Sequence, residues 1–188
     1  MARKNEIRVI AGRWRGRKLV FPPVAGLRPT PGLVRETLFN WLRAEVSGAR
    51  CLDLFAGSGA LGFEAASRGA ATVVQVESNL RVLKMLMDNR RKLGAEQIET
   101  VRGDVKRFLQ RTPDRTFNLV FLDPPFGRGL VGACCRLLEA GGWLTPDAKI
   151  YVEAESELDC PPVPANWERL RHKRVGEAGC HLYQRQAT

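Results

Sequence analysis

From Cys51 onward the chain alternates short apolar runs with amphipathic ones, and this rhythm constrains its fold more than any other feature. The runs Cys51–Phe55, Thr72–Glu77, Ile98–Arg102, Phe117–Leu122 and Ile150–Glu153 read as strands. Between them the spacing predicts helices from about Gly59 to Arg68, Asn79 to Leu93, Val105 to Gln110 and Leu130 to Ala140. Strands that alternate with helices call for a mostly parallel sheet covered on both faces. Ahead of this unit, Val34, Leu38, Trp41, Leu42 and Val46 recur at three- and four-residue spacing and predict one more amphipathic helix. The tail differs. Leu170–Val175 and Cys180–Gln184, separated by Gly176-Glu-Ala-Gly179, predict an antiparallel hairpin added at the sheet's edge.

Composition supports one globular domain: of 188 residues 44% are hydrophobic and 27% charged, enough apolar material for a core. The longest stretch free of charge, Leu54 to Phe63, is about half of the ~20 residues a membrane helix needs. Met1-Ala2-Arg3-Lys4 resembles the basic start of a signal peptide, but Asn5, Glu6 and Arg8 follow where a hydrophobic region belongs. A cytoplasmic location is therefore expected, with no membrane partner. Cys51, Cys134, Cys135, Cys160 and Cys180 are odd in number and form no Cys-x-x-Cys pair, so free and mostly buried thiols are expected. With only His172 and His181 to add, no spacing resembles a metal site or a Cys-His catalytic pair.

The net charge of +10 is unevenly placed. Residues 1–50 hold 11 Lys and Arg against 3 Asp and Glu, whereas the remainder is nearly balanced. Such asymmetry points to a polyanion partner. The stretch Arg8-Val-Ile-Ala-Gly-Arg13-Trp14-Arg15-Gly-Arg17-Lys18 is the expected contact surface. Arg13, Arg15, Arg17 and Lys18 suit phosphates, Trp14 suits stacking on a base, and Gly12 and Gly16 permit a turn between extended runs Ile7–Ile10 and Lys18–Phe21. Residues 1–30 are thus expected to form a basic hairpin extension on a domain spanning 31–188. The alternative is a solvated hairpin that caps the domain, with Trp14 half-buried.

In doubly wound sheets a ligand lies outside the carboxyl ends of the strands. The first of these strand ends carries Asp53-Leu-Phe-Ala-Gly57-Ser58-Gly59-Ala-Leu-Gly62, a Gly-x-Gly-x-x-Gly spacing between strand and helix. Glu77 closes the next strand, where a carboxylate can accept from ribose hydroxyls. Both NAD and S-adenosylmethionine meet these two requirements. Two carboxylates favour S-adenosylmethionine: Asp53 suits the methionine ammonium, and Asp104 in Gly103-Asp104-Val105 suits the adenine amino group, with the Val105 N–H on the ring. Asp53 can instead be a buried structural carboxylate, and Asp104 a helix cap. The fourth strand ends in Asp123-Pro124-Pro125-Phe126. Two prolines stiffen this loop and leave the Asp123 carboxylate and the Pro124 carbonyl as acceptors. Such a pair fits an exocyclic NH₂ on a nucleobase, with Phe126 against the ring face.

Together these segments resemble the class I S-adenosylmethionine-dependent methyltransferases, and among them the RsmD family. The resemblance covers nearly the whole chain and adds Gly26-Leu-Arg28-Pro-Thr30, Val34-Arg35-Glu-Thr-Leu-Phe-Asn-Trp-Leu42 and Pro164-Ala-Asn-Trp167 to the motifs above. It implies a Rossmann-like α/β methyltransferase sheet, S-adenosylmethionine as cofactor and the guanine N2 amino group of 16S ribosomal RNA as target, in a small ribosomal subunit or an assembly intermediate. The family's usual Asp-Arg pair after Thr30 is replaced here by Gly32 and Leu33. That departure brings in Arg28 and Arg35 as candidate RNA contacts, and Thr30 as a candidate on the cofactor side. From the residues alone, adenine N6 methylation remains open, since both bases offer an NH₂. An NAD-dependent oxidoreductase and a catalytically idle RNA-binding protein are the remaining alternatives.

Overall fold

A computed structural model describes residues 5–187. The basic start of the chain, residues 1–4, lies outside the described residues. Strands β1 (Asn5–Arg8) and β2 (Lys18–Phe21) pair antiparallel as a separate two-stranded sheet. Helix α1 (Gly32–Trp41) follows, then β3 (Arg50–Asp53), α2 (Ala60–Ser67), β4 (Thr72–Glu77), α3 (Leu80–Leu93), β5 (Ile98–Arg102) and α4 (Val105–Leu109). The chain closes with β6 (Phe117–Leu122), α5 (Leu130–Ala140), β7 (Leu144–Glu155), β8 (Trp167–Val175) and β9 (Ala178–Arg185). The main sheet runs β5-β4-β3-β6-β7-β9-β8, parallel from β5 through β7 and antiparallel across β7-β9-β8. The mostly parallel sheet with its antiparallel C-terminal hairpin matches the expectation.

Each face of the sheet carries its own core. One face buries Cys51, Val73, Leu119, Phe121, Tyr151 and Leu182 under α1, α2, α3 and the N-terminal hairpin. The other buries Leu52, Val74, Val120, Leu122, Ile150 and Val152 under α4 and α5. Alternate residues of one strand thus serve opposite layers, as the pleat requires. Local signals set the helix ends: the Asn79 side chain caps α3 at the Arg81 and Val82 N–H groups, and Gly94 ends it at φ 60°. Cys51, Cys134, Cys135 and Cys180 are free and buried, and Cys160 is free and exposed.

Several boundaries differ from the sequence reading: β1 lies two residues earlier, at Asn5–Arg8, β3 ends at Asp53, and β9 begins at Ala178. Helix α1 stops at Trp41 and the chain continues in turns to Val46, whose side chain still joins the core. Strand β7 begins six residues earlier than expected, at Leu144. Thr145, Pro146 and Asp147 hide that start, and the register against β6 shifts between Phe117 and Leu119. Strand β8 begins at Trp167, where Glu168 and Arg169 mask the pattern of an edge strand.

The N-terminal hairpin is anchored to the helices rather than hung from them. Glu64 on α2, fully buried, accepts from the N–H groups of Ile10 (2.8 Å) and Ala11 (3.0 Å) and from Arg68 Nε (2.8 Å), with Arg35 Nη1 at 3.7 Å. Ser67 Oγ donates to the Ala11 carbonyl and accepts from the Trp14 N–H. Gly12 sits at φ +81°, and a Cβ there would fall 1.9 Å from the Ser67 carbonyl oxygen, so only glycine allows this approach. On α3, the Asn89 side-chain amide exchanges two hydrogen bonds with the Val20 backbone. Replacing Glu64 by Ala strands the buried Arg35 guanidinium and two backbone N–H groups. Chemical denaturation of Glu64→Ala is expected to show a loss of roughly 3–5 kcal/mol.

Candidate active site

Strand order reverses between β3 and β6, and the ends of these two strands carry the candidate residues. Beyond β3 the chain turns through Gly57, Ser58 and Gly59 into α2, with the Gly59 N–H on the Ala56 carbonyl at 2.7 Å. Glu77, half-buried at the end of β4, takes the Gly57 N–H at 3.1 Å on one oxygen and the Asn79 N–H at 2.6 Å on the other. It braces the glycine turn from the side, as a carboxylate at this strand end can. Ser58 is buried inside the turn.

Asp53 lies beneath that turn rather than on its open side. Only 2% exposed, its Oδ2 accepts from the Gly62 N–H at 3.1 Å and from Gln75 Nε2 at 3.4 Å. A Cβ on Gly62 would come within 2.4 Å of Gln75 Nε2, so glycine lets the helix approach this buried pair. Burial, against the pull of these two hydrogen bonds, lifts the Asp53 carboxyl to about 7. The enclosed carboxyl supports the loop from below through Oδ2. Asp104 is exposed and caps α4, its Oδ1 accepting from the Arg107 N–H at 3.1 Å, while Val105 beside it is buried. Asp104 also lines a shallow cleft with Lys106, Arg107, Gln110 and Leu137.

The Asp123-Pro124-Pro125-Phe126 loop leaves β6 between the glycine turn and a second cleft of about 440 Å³. Pro124, Pro125, Phe126, Leu130, Glu153 and Glu155 line that cleft. Phe126 is 41% exposed, which leaves a ring face open, and Glu155 Oε1 ties down the loop by accepting the Gly127 N–H at 2.5 Å. Thr30 is nearly buried and its carbonyl accepts from Arg35 Nε at 3.2 Å, while its side chain on the Asp123 side opposes the rise of that carboxyl. Asp123 follows the last β6–β7 pair, Leu122 with Val152, by one residue, which brings it toward Glu153 of β7, whose Oε2 accepts from the buried Tyr151 hydroxyl at 2.9 Å. Burial first, then the Glu153 and Asp53 charges, push the Asp123 carboxyl well above the usual carboxylate range. Burial also raises Glu153, against the Tyr151 bond. Glu153, Glu155 and Tyr151 escaped the sequence reading, since no motif marks them. The only signal was positional, two carboxylates at the end of the strand beside Asp123, and it needs the β6–β7 register to be read.

The family model described as "Conserved hypothetical protein 95" matches residues 7–184. A relative from Escherichia coli (strain K12), named ribosomal RNA small subunit methyltransferase D, is 50% identical over 185 residues, covering 97% of this chain and 92% of its own. A relative of the same name from Haemophilus influenzae is 45% identical, covering 96% of this chain and 95% of its own. A solved structure described as a putative methyltransferase from Escherichia coli superposes with a TM-score of 0.89 at 49% identity, covering 98% of this chain and all of that one. The chain belongs to the RsmD family. Across nearly its full length it carries the family's class I methyltransferase sheet.

Two residues expected on the RNA side of this RsmD-family chain have other positions. Trp14 is 4% exposed and packs in the core under the hairpin, so its ring is not presented for stacking on a base. Arg35 is 5% exposed and spends its guanidinium on the Thr30 and Arg8 carbonyls and on Glu64. The apolar and helical surroundings that fold the hairpin down claim both side chains. Arg13, Arg15 and Arg17 remain exposed on the hairpin turn, while Lys18 pairs with Glu6 at 2.9 Å. Arg28 is exposed, 3.9 Å from Glu177. At the family's Asp-Arg positions, Gly32 and Leu33 are both exposed, and Leu33 presents 57% of its surface.

The raised Asp53 carboxyl makes the stability of the fold depend on pH. The folded chain holds this proton up to about pH 7, whereas an unfolded Asp releases it near pH 4, so stability falls as pH rises between those values. Asp53→Asn keeps an acceptor for the Gly62 N–H and removes this charge. Urea denaturation of the variant across that range is expected to show a flatter profile than the parent, with the remaining slope belonging to Asp123 and Glu153.

Proposed function

We propose that the chain transfers a methyl group from S-adenosylmethionine to the exocyclic N2 amino group of a guanine in 16S ribosomal RNA. The observation that carries this reading is the place of Asp123: at the end of β6, it has the β3 strand end with its glycine turn on one side and, on the other, the cleft lined by Pro124, Pro125 and Phe126. Methyl donor and base are thereby separated by one acceptor pair. Membership in the RsmD family, whose curated relatives are named ribosomal RNA small subunit methyltransferase D, supplies the RNA and the base. NAD-dependent chemistry would leave Asp123–Phe126 without a role.

The residues present fit the cofactor. Gly57 and Gly59 take the positive φ (51° and 80°) that the tight turn needs, Glu77 offers its remaining lone pairs to ribose hydroxyls, and the Asp104 oxygen not used in capping is open to an adenine amino group. S-adenosylmethionine supplies an electrophilic sulfonium methyl when bound. The chain's part is to aim the amine. Its lone pair is delocalised into the ring, and acceptance of both N–H protons by Asp123 and the Pro124 carbonyl localises it toward the methyl carbon. Glu155 holds the loop that carries Phe126. Once the amine has taken the methyl group, Asp123 or water would accept the surplus proton on nitrogen. The target base must be splayed out of its stack to enter the cleft. We further place the reaction in the cytoplasm, on a small subunit or an assembly intermediate; among the described residues no helix is long and apolar enough to cross a membrane.

The test is transfer of radiolabelled methyl to small subunits that lack this modification, followed by nucleoside digestion and mass spectrometry. Label is expected in N2-methylguanosine, and Asp123→Ala is expected to lower the rate roughly 100-fold or more with cofactor binding retained. Label in N6-methyladenosine would overturn the choice of base. The exposed hairpin arginines are expected to neutralise phosphates. Simultaneous Arg13→Ala, Arg15→Ala and Arg17→Ala substitution should then lower the log–log salt slope of RNA binding by about two to three. An unchanged slope would remove the hairpin turn from the RNA surface.

A further inference from the structure

We propose that Glu153 selects guanine, its carboxylate accepting the N1–H of the purine whose amino group lies on Asp123 and the Pro124 carbonyl. The inference rests on the base-methylation reading above and adds the residue that reads the base. Guanine and adenine present the same outline to an amine-binding pair: in each, ring atom N1 lies one bond from the carbon that bears the NH₂. They differ in hydrogen-bond polarity at that atom. Guanine N1 carries a proton and donates, while adenine N1 carries a lone pair and accepts. Asp123 and Pro124 cannot tell the two apart, and a third group beside them must.

Glu153 stands at that third position. The parallel register pairs Phe121 with Tyr151 and Leu122 with Val152, so the next step along both strands brings Asp123 alongside Glu153 on one face of the sheet. Neighbouring strands run about 4.8 Å apart, a spacing that two adjacent donors on a purine edge can bridge. Glu153 also lines the same cleft as Pro124, Pro125 and Phe126. Its side chain is held in one orientation by the Tyr151 hydroxyl on Oε2, at 2.9 Å. Tyr151 is itself fully buried and is the one protein donor to that carboxyl among the described residues. No Lys or Arg of the described residues pairs with it, although Glu153 is only 6% exposed. A nearly buried carboxylate with a single neutral donor is a costly arrangement. A guanine edge relieves it, since N1–H and the two N2 protons meet three acceptors in a row. An adenine edge turns a lone pair toward Glu153 instead. The Tyr151 bond also stabilises the ionised, acceptor form of the carboxyl against its burial.

The test uses small subunits reconstituted with rRNA carrying guanine or 2-aminopurine at the modified position. 2-Aminopurine keeps the amino group on C2, replaces N1–H by a bare N1 and also lacks O6. The full chain is expected to show kcat/KM roughly 100-fold lower on 2-aminopurine than on guanine. Glu153→Gln retains an acceptor for Tyr151 and gains an NH₂ that can donate to bare N1. It is therefore expected to shrink that ratio at least about tenfold, with S-adenosylmethionine affinity unchanged. Loss of O6 would not be rescued by this substitution, so rescue isolates N1. A ratio unchanged in Glu153→Gln overturns the proposal. So does use of 2-aminopurine by the parent chain within about threefold of guanine, which decides the matter even where the variant fails to fold. Absence of transfer to guanine-bearing subunits overturns the base-methylation reading itself, and the selection by Glu153 with it.

Discussion

Helices α2 and α5 leave β3 and β6 for opposite faces of the sheet, and the crevice opened by that divergence fixes where chemistry can occur. Every residue of the candidate site depends on this reversal. It exposes the ends of β3, β4 and β6 at one edge while their flanks stay packed in two separate cores. The glycine turn, the Glu77 brace and the two-proline loop are then brought together by sheet geometry alone, without a dedicated domain to carry them.

Burial gives this crevice its electrostatic character. Asp53, Asp123 and Glu153 share one face of the sheet, and all three carboxyls are raised by enclosure. Their compensation comes mainly from neutral donors: the Gly62 N–H, the Gln75 amide and the Tyr151 hydroxyl. Donors of this kind orient a carboxylate without cancelling its charge. The positive charge of the chain is concentrated elsewhere, on the hairpin turn, so the basic turn and the carboxyl-lined crevice are kept electrostatically apart.

Much of this was legible in the sequence because it is local. Strand and helix rhythm, the glycine spacing, Glu77 at a strand end and Asp123-Pro124-Pro125-Phe126 all lie within single segments, and the sheet topology follows from their alternation. What escaped depends on contacts between segments distant along the chain. Trp14 and Arg35 read as RNA contacts because exposure is invisible to composition; Ser67 and Glu64, more than fifty and almost thirty residues away respectively, draw them inward. Glu153 carries no motif, and its meaning appears only through a strand register that skips between Phe117 and Leu119.

The clamp of Glu64, Ser67 and Asn89 on the hairpin backbone makes the basic turn a fixed limb of the sheet. A limb of that kind works as a caliper. The interval between its arginines and the mouth of the cleft is set by the fold and does not adapt to the ligand. With the proposed phosphate and base contacts in place, an RNA would satisfy both points together only if its own tertiary structure already held a phosphate ridge and an unstacked base at that interval. Shape, measured across the whole molecule, would then filter substrates before any base edge is read.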